Sequence, residues 1–188
     1  MSQSQIYILQ LQHGVAIARD QQAYETLFKF FHKSLISFGT SIVKSKEAAE
    51  EIYSDVMLKL WDLGPDLINI NDLKVYLFVS VKNASLNYLG KYYKLKTVDI
   101  ETIHLELKDV KTPEEALLSS EFQNTLAQAI RSLPPKSQLV YKLIKEEGFS
   151  YKQVAEVLEI SVNTVEGHMS TALKKLSISL STYLPPGK

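Results

Sequence analysis

Apolar residues recur at three- and four-residue spacing along most of the chain, which is typical of helices that bury one face. Between positions 133 and 184 this pattern forms three consecutive blocks. The first block ends at Gly148, the second begins at Ser150, and the third runs from Ser161 to about Leu180. Two helices joined by a turn of three or four residues, with apolar inner faces, indicate a helix-turn-helix.

The helix that begins at Ser161 carries short hydrogen-bonding side chains and lysines on its polar side. Side chains of this kind contact base edges and phosphates, so this helix is predicted to be the recognition helix. Its candidate DNA-binding residues are Ser161, Asn163, Thr164, Glu166, Gly167, His168, Thr171, Lys174 and Lys175, with Ser170 on the same side.

The first part of the chain shows the same helical spacing. Residues 5–12 are predicted to form a short helix or a loosely packed arm. Its apolar residues Ile6 and Leu9, together with Ile17, are expected to dock on the part of the chain that follows. Asp20 and Ser45 are predicted to be the N-caps of the second and third helices.

A fourth helix, from Leu73 to about Tyr93 and capped by Asn71 or Asp72, differs in charge. Residues 74–96 contain five lysines and no acidic residue, and aromatic and amide side chains lie between the lysines. This combination suits a surface that binds phosphates and stacks bases. A solvated helix whose aromatic residues belong mostly to the core explains the pattern about equally well.

The charge then reverses. Residues 98–121 hold seven acidic residues and two lysines, and residues 97–112 show no helical period, so an acidic linker is predicted there. A further helix is predicted to begin at Thr112-Pro113. The predicted fold is all-α, with two helical domains at 1–96 and 113–184, a linker at 97–112 and a tail at 185–188.

Composition narrows the possible functions of this chain of 188 residues. The chain has no cysteine, which excludes disulfides and thiolate metal sites. The four histidines lack metal-ligand spacing, and there is no glycine-rich phosphate loop, so no metal, cofactor or catalytic residue is predicted. The N-terminal segment lacks the features of a signal peptide, and no apolar run is long enough to span a membrane.

The helix-turn-helix region is only weakly basic. Residues 134–188 hold seven lysines and five glutamates, and the formal net charge of the whole chain is zero. Because neutralisation of phosphates supplies most of the affinity for DNA, this region is expected to bind DNA weakly by itself. A second contact or a partner is therefore expected.

Three stretches in this order resemble the extracytoplasmic-function (ECF) class of sigma-70 family RNA polymerase sigma factors. They are AAEEIYSDVMLKLW (48–61), VYLFVSVKNASLNYL (75–89) and LPPKSQLVYKLIKEEGFSYKQVAEVLEISVNTVEGHMSTALKKL (133–176). Within that class the chain looks like the sigma factors of the iron-citrate-regulator type, common in Bacteroidetes-like bacteria. The resemblance implies a cytoplasmic protein without enzymatic activity that binds core RNA polymerase and directs promoter-specific initiation.

The resemblance also implies roles for individual residues. Residues 48–61 match region 2.2, which binds the β′ clamp helices, and Glu51, Asp55, Met57 and Lys59 are its candidate exposed contacts. The basic and aromatic stretch matches regions 2.3 and 2.4, which melt and read the −10 element. Its candidate residues are Lys74, Lys82, Asn83, Asn87, Tyr88 and Lys91, with Lys82 and Asn83 in the positions of the family's "RN" signature.

The implied partners are core RNA polymerase, through its β′ clamp helices and β flap, promoter DNA read at the −35 element by the recognition helix, and an anti-sigma factor. No membrane insertion is implied. The chain departs from the family at three places, one of which is the segment 15–19, longer than the family's usual spacing. Asn87 and Gly90 replace the usual Asp-x-x-Arg, and Glu159 replaces the glycine of the turn. A non-glycine residue is therefore predicted to adopt a left-handed conformation there.

Two other functions fit parts of the pattern. The segment from Thr164 to His168 also resembles the recognition helix of response regulators, which suggests a stand-alone regulator whose N-terminal helices sense a ligand or dimerise. A pure interaction module, such as an anti-sigma-type adaptor, is the other alternative.

Overall fold

The structure, a computed structural model, describes residues 3–92 and 121–181. Within these ranges every regular element is a helix, which confirms the predicted all-α class. The elements are α1 (Gln3–Ala18), α2 (Gln21–Val43), α3 (Lys46–Asp62), a short 3₁₀ helix (Gly64–Asn69), α4 (Leu73–Tyr92), α5 (Glu121–Arg131), α6 (Pro135–Lys145), α7 (Tyr151–Leu158) and α8 (Val162–Ser179).

The chain divides into two compact units, Met1–Ile103 and His104–Lys188. The division falls within the segment 97–112 that was predicted to be a linker. That linker, the helix start at Thr112-Pro113 and the tail lie outside the described residues. The predicted domain boundaries therefore stay predictions.

In the N-terminal unit, α2 packs against α1, α3 and α4. Gly39 of α2 lies where three helices meet. A Cβ atom at this position would lie 3.3 Å from Ala49 Cβ in α3 and 3.4 Å from Val81 Cγ1 in α4. Because both contacts are at or below the tight end of van der Waals distances, the missing side chain lets the helices approach closely.

N-caps set where the helices of this unit begin. A side-chain oxygen of Asp20, Ser45 and Asp72 accepts a hydrogen bond from a backbone N–H in the first turn of α2, α3 and α4, at 2.8, 3.1 and 3.0 Å. These bonds satisfy donors that a helix start leaves without a partner. The first two caps were predicted, and the third selects Asp72 over Asn71.

The prediction for α1 was partly wrong. Ile6, Leu9 and Ile17 are all exposed, with Ile17 at 70%, and do not belong to the core of the unit. Val15 and Ala16 are buried instead. The helix also runs over 16 residues rather than 5–12. Only the side of α1 that carries Val15 and Ala16 is packed, so the apolar residues elsewhere on it remain at the surface.

A buried glutamine attaches α1 to the rest of the unit. Gln12 is 2% exposed, and its Nε2 donates to the backbone carbonyls of Leu67 at 2.7 Å and Ile70 at 2.8 Å. Both carbonyls belong to the segment between α3 and α4. A buried amide with two good hydrogen bonds specifies one position of α1, because any shift would leave polar groups buried without partners.

Two predicted site residues belong to the core of this unit. Met57 is 0% exposed and Lys82 is 1% exposed. Met57 follows the buried Val56, and Lys82 lies one turn after the buried Phe78, so both side chains point to the packed side of their helices. Met57 is therefore not the exposed residue that was predicted, and Lys82 does not belong to the surface of α4.

In the C-terminal unit, α5, α6 and α7 each pack against α8. The inward residues Ala172 and Leu176 of α8 form a buried cluster with Ala129 and Leu133. Leu173 follows Ala172 but lies at the edge of this face and is 48% exposed. One step of about 100° along the helix turns it away from Ala172.

The helix-turn-helix has the predicted limits. Ser150 caps α7 through a capping box in which Ser150 Oγ accepts from Gln153 N at 3.3 Å and Gln153 Oε1 accepts from Ser150 N at 2.8 Å. Glu159 then ends α7 in a left-handed conformation, with φ of 56° and ψ of 43°. The prediction that a non-glycine residue occupies this conformation is confirmed.

Replacement of Glu159 by glycine should stabilise the C-terminal unit. Glycine adopts the left-handed conformation without a Cβ clash, so Glu159→Gly should raise the free energy of unfolding by roughly 0.5–1 kcal/mol, after allowance for the greater freedom of glycine in the unfolded chain. Hydrogen exchange of the α7 and α8 amides measures the change. Glu156→Gly, at an exposed position inside α7, should instead lower stability by about 1 kcal/mol. Equal losses for both variants would contradict the expectation.

Removal of the Lys82 side chain should destabilise the N-terminal unit. Lys82→Ala should lower its free energy of unfolding by about 2–4 kcal/mol, because the long side chain leaves a cavity and buried contacts are lost. The chain has one tryptophan, Trp61 in α3, so its fluorescence during urea unfolding reports on this unit. Lys91→Ala removes the same charge from an exposed site and should change stability by less than about 0.5 kcal/mol. An unchanged midpoint for Lys82→Ala would refute its structural role.

Candidate nucleic-acid interface

Helix α8 separates its residues between core and surface. Val165, Met169, Ala172 and Leu176 are buried. Most of the residues of α8 that were predicted to face outward are exposed. They are Asn163, Thr164, Glu166, Gly167, Ser170, Thr171, Lys174 and Lys175. The structure therefore brings most of the predicted DNA-binding residues of α8 to one surface.

The start of α8 is held by Ser161. Its Oγ accepts a hydrogen bond from Thr164 N at 3.0 Å and lies 2.8 Å from Thr164 Oγ1. The hydroxyl groups of both residues thus hold the first turn of the helix. The same turn carries Asn163, whose exposed amide has both donor and acceptor groups for a base edge.

His168 differs from the other predicted residues. Its side chain is only partly exposed, and its Nδ1 lies 3.5 Å from the Oγ of Ser137, a buried residue in the first turn of α6. The imidazole therefore connects α8 to α6 as well as facing the surface. Nothing in the sequence pattern paired these residues, because they are 31 positions apart.

Helix α4 presents a second polar row. Asn83, Asn87 and Lys91 are exposed, and their four-residue spacing places them on one side of the helix. Two other predicted residues lie elsewhere. Tyr88 is partly buried, and Lys74 lies near the start of α4 with its Nζ 6.0 Å from the centre of the Phe78 ring. With Lys82 buried, the surface row consists of two amides and one ammonium group.

The exposed side of α3 is acidic around one apolar residue. Glu51, Asp55 and Lys59 are exposed, as predicted. Met57 is buried, and its neighbour Leu58 is 57% exposed instead. Leu58 follows Asp55 by three residues and precedes the exposed Asp62 by four, so it lies on the acidic side. This spacing from Asp55 and Asp62 could have identified Leu58 as a surface residue from the sequence alone. The apolar character of its side chain gave no hint of exposure.

The end of α3 is covered by an arginine. The guanidinium carbon of Arg19 lies 4.1 Å from the centre of the Trp61 ring, and Arg19 Nη1 donates to the carbonyl of Trp61 at 2.5 Å. The ring of Tyr24 meets Trp61 edge to face at 5.0 Å between centroids. Burial, followed by the nearby Asp62 carboxylate, raises the pKa of the Tyr24 phenol. These contacts fix the position of the C-terminal end of α3, the helix that carries Leu58 and the exposed acidic residues around it.

Other kinds of site were searched for in the described ranges. No group of histidine, cysteine, aspartate and glutamate residues there could hold a metal ion. None of the helices in those ranges is both long enough and apolar enough to cross a membrane.

Comparison with known proteins gives three kinds of match. Residues 123–176 match the family model for sigma-70, region 4. The chain is 23% identical over 173 residues to the RNA polymerase sigma-H factor of Pseudomonas aeruginosa, covering 88% of this chain and 90% of that protein. It is 22% identical over 176 residues to the ECF RNA polymerase sigma-E factor of Escherichia coli, covering 89% of each.

A solved structure shares the fold. The chain CnrH, in the structure described as CnrH in complex with the cytosolic domain of CnrY, matches with a TM-score of 0.52 and 19% identity. The match covers 95% of this chain and 97% of that chain. Matches of this extent include the N-terminal unit, which the family model for region 4 does not reach. The chain therefore carries a sigma-70 region 4 domain and is homologous to the extracytoplasmic-function RNA polymerase sigma factors.

Proposed function

We propose that this protein is a sigma factor that binds core RNA polymerase and directs promoter-specific initiation of transcription. The observation that carries the proposal is the pair of exposed polar helix faces, one on α4 and one on α8, in two units of a chain homologous to sigma factors over almost its whole length. Each face has the side-chain chemistry that contacts nucleic acid.

In this proposal α8 enters the major groove at the −35 element. A groove about 12 Å wide admits one helix, and the exposed amides and hydroxyls of α8 read base edges there. Lys174 and Lys175, in the second half of α8, contact phosphates. His168 contributes mainly by fixing α8 against Ser137 of α6.

The row on α4 captures the melted −10 element. The amides of Asn83 and Asn87 form hydrogen bonds with bases that have left the duplex, and Lys91 binds the phosphate chain. The partly exposed rings of Tyr76 and Tyr88 supply surfaces for stacking. Lys82 acts from inside the unit by supporting α4, since its side chain is buried.

The exposed side of α3 binds the β′ clamp helices of polymerase. Leu58 takes the place that was predicted for Met57, and Glu51, Asp55 and Asp62 surround it. An apolar side chain that becomes desolvated inside a polar rim is the arrangement of an interface hot spot. The acidic rim favours a basic partner surface and raises the rate of association.

Weak contacts from the two units suffice if polymerase holds both of them. The region from 134 to 188 has only two more basic than acidic residues, so its affinity for DNA alone is low. Once one unit is bound, the other acts at the high effective concentration that a tether provides. The β flap is the proposed anchor of the C-terminal unit.

Regulation by an anti-sigma factor is part of the proposal. The solved relative CnrH is described in complex with the cytosolic domain of CnrY. The similarity of the three sequence stretches to iron-citrate-regulator-type sigma factors supports a regulator of that type, which releases the protein in response to a surface signal. Co-purification of the chain with a membrane-bound anti-sigma factor from the same bacterium tests this part.

Run-off transcription with core polymerase from the same bacterium tests the function. The chain should produce transcripts from a discrete start site, and the triple variant Asn83→Ala, Asn87→Ala, Lys91→Ala should reduce open-complex formation at least about tenfold, because each lost hydrogen bond costs about 0.5–1.5 kcal/mol and three contacts are removed together. Permanganate footprinting of melted thymines measures the opening.

Lys33→Ala, which removes an exposed charge from α2, is the control and should retain opening. Core-independent binding of the chain to a duplex operator, without start-site selection, would support the stand-alone regulator instead. Full opening by the triple variant would support an adaptor.

Leu58 and Met57 should give opposite phenotypes. Leu58→Ala should weaken binding of core polymerase by about tenfold or more, as hot-spot substitutions do, and leave the unfolding midpoint unchanged because the side chain is exposed. Met57→Ala should lower the free energy of unfolding of the N-terminal unit by about 2–5 kcal/mol. Fluorescence titration with core and urea unfolding separate the two effects. Wild-type affinity of the folded Leu58→Ala variant would remove α3 from the proposed interface.

A further inference from the structure

Gly167 lies at the outermost position of α8. At about 100° per residue, its direction is roughly 180° from the mean direction of the buried residues Val165, Met169, Ala172 and Leu176. Any side chain at this position would therefore project farthest from the core. In a helix that enters a groove, this position faces the floor of the groove.

The fold of the described unit does not require a glycine there. A Cβ atom built on Gly167 would meet no heavy atom within 4 Å beyond its chain neighbours and the adjacent backbone of α8, whereas one on Gly39 would meet Ala49 Cβ at 3.3 Å. The backbone of Gly167 is helical, in contrast to Gly64 and Gly148, which have positive φ. Glycine inside a helix lowers the stability of the fold relative to alanine. Neither packing nor backbone conformation explains why the chain carries glycine at position 167.

The neighbours of Gly167 on the surface have the chemistry for reading bases. Asn163 and Thr171 lie one turn to either side of it, and both are exposed. The Oγ1 of Thr171 donates to the carbonyl of Gly167 at 2.9 Å. Because this bond uses the hydroxyl hydrogen, the side chain of Thr171 retains an acceptor oxygen and a methyl group, which suit a base amino group and a thymine methyl group.

A missing side chain between these two residues changes how closely the helix backbone can approach its ligand. Side chains as short as those of Asn163 and Thr171 reach base edges only if the backbone comes near the groove floor. A larger residue at 167 would contact the bases first and hold both neighbours away. Glycine is the residue that permits such an approach of backbone to ligand.

We infer that Gly167 sets the depth at which α8 enters the major groove and is a specificity-determining residue of the protein. The inference rests on the proposed function, in which α8 binds the −35 element. Gly167 makes no side-chain contact in this arrangement. It leaves room for the helix to approach the bases, and Asn163 and Thr171 supply the contacts.

Two substitutions of increasing size test the inference in reconstituted holoenzyme. Gly167→Ala should raise the melting temperature of the chain by roughly 2–6 °C, because alanine favours the helix. The same variant should require at least about tenfold more holoenzyme for half-maximal open complex. Gly167→Gln should require still more. The maximal rate of opening at saturating holoenzyme and the affinity for core should stay unchanged, since neither depends on entry of α8 into the groove.

Ser177→Ala is the matched control, because Ser177 is an exposed residue of α8 outside the proposed contacts. It should leave promoter binding at the wild-type level. The inference is overturned if Gly167→Ala is more stable and its holoenzyme binds the promoter as tightly as wild type. It is also overturned if affinity falls only in proportion to a loss of folded protein. Failure of the wild-type chain to direct any promoter-specific transcript would instead refute the proposed function.

Discussion

The turn of about 100° between successive helix residues is the constraint on which this structure depends. In α3, α4 and α8 one side of the helix completes the core of its unit, so only the opposite side is available to a partner. Neighbouring residues of one helix therefore differ in whether they are buried or exposed. Met57 is buried and Leu58 exposed, and Lys82 is buried and Asn83 exposed. Packing of the core thus determines which residues of each helix can take part in function.

Local features of the fold could be predicted because local interactions determine them. The N-caps at Asp20, Ser45, Ser150 and Ser161 depend on hydrogen bonds within one turn, and all four form. The left-handed Glu159 was predicted from the resemblance, since the family usually carries glycine at this place in the turn. The buried positions of α8 were largely foreseen, since a strong repeat identifies the packed side wherever the helix lies.

Features that depend on distant contacts could not be predicted in this way. Gln12 is a polar residue that a sequence pattern assigns to the surface, and its burial depends on two carbonyl groups more than 50 residues away. The burial of Lys82 was missed because a basic residue between Val81 and Asn83 resembles one more surface charge of a basic helix. The exposure of Ile6 was missed for the opposite reason, because apolar character alone does not ensure that a partner surface exists.

The residues that lower the stability of the C-terminal unit lie where its contact with DNA is proposed. Glu159 in the turn and Gly167 in the middle of α8 both lower the stability of the isolated unit, and neither residue improves its packing. The unit also carries little excess positive charge with which to hold DNA. A surface with low charge and an open position at its centre gains affinity mainly by close fit. Close fit is sensitive to base sequence, whereas charge is not, so the weak basicity of this unit favours discrimination between promoters once polymerase supplies the remaining affinity.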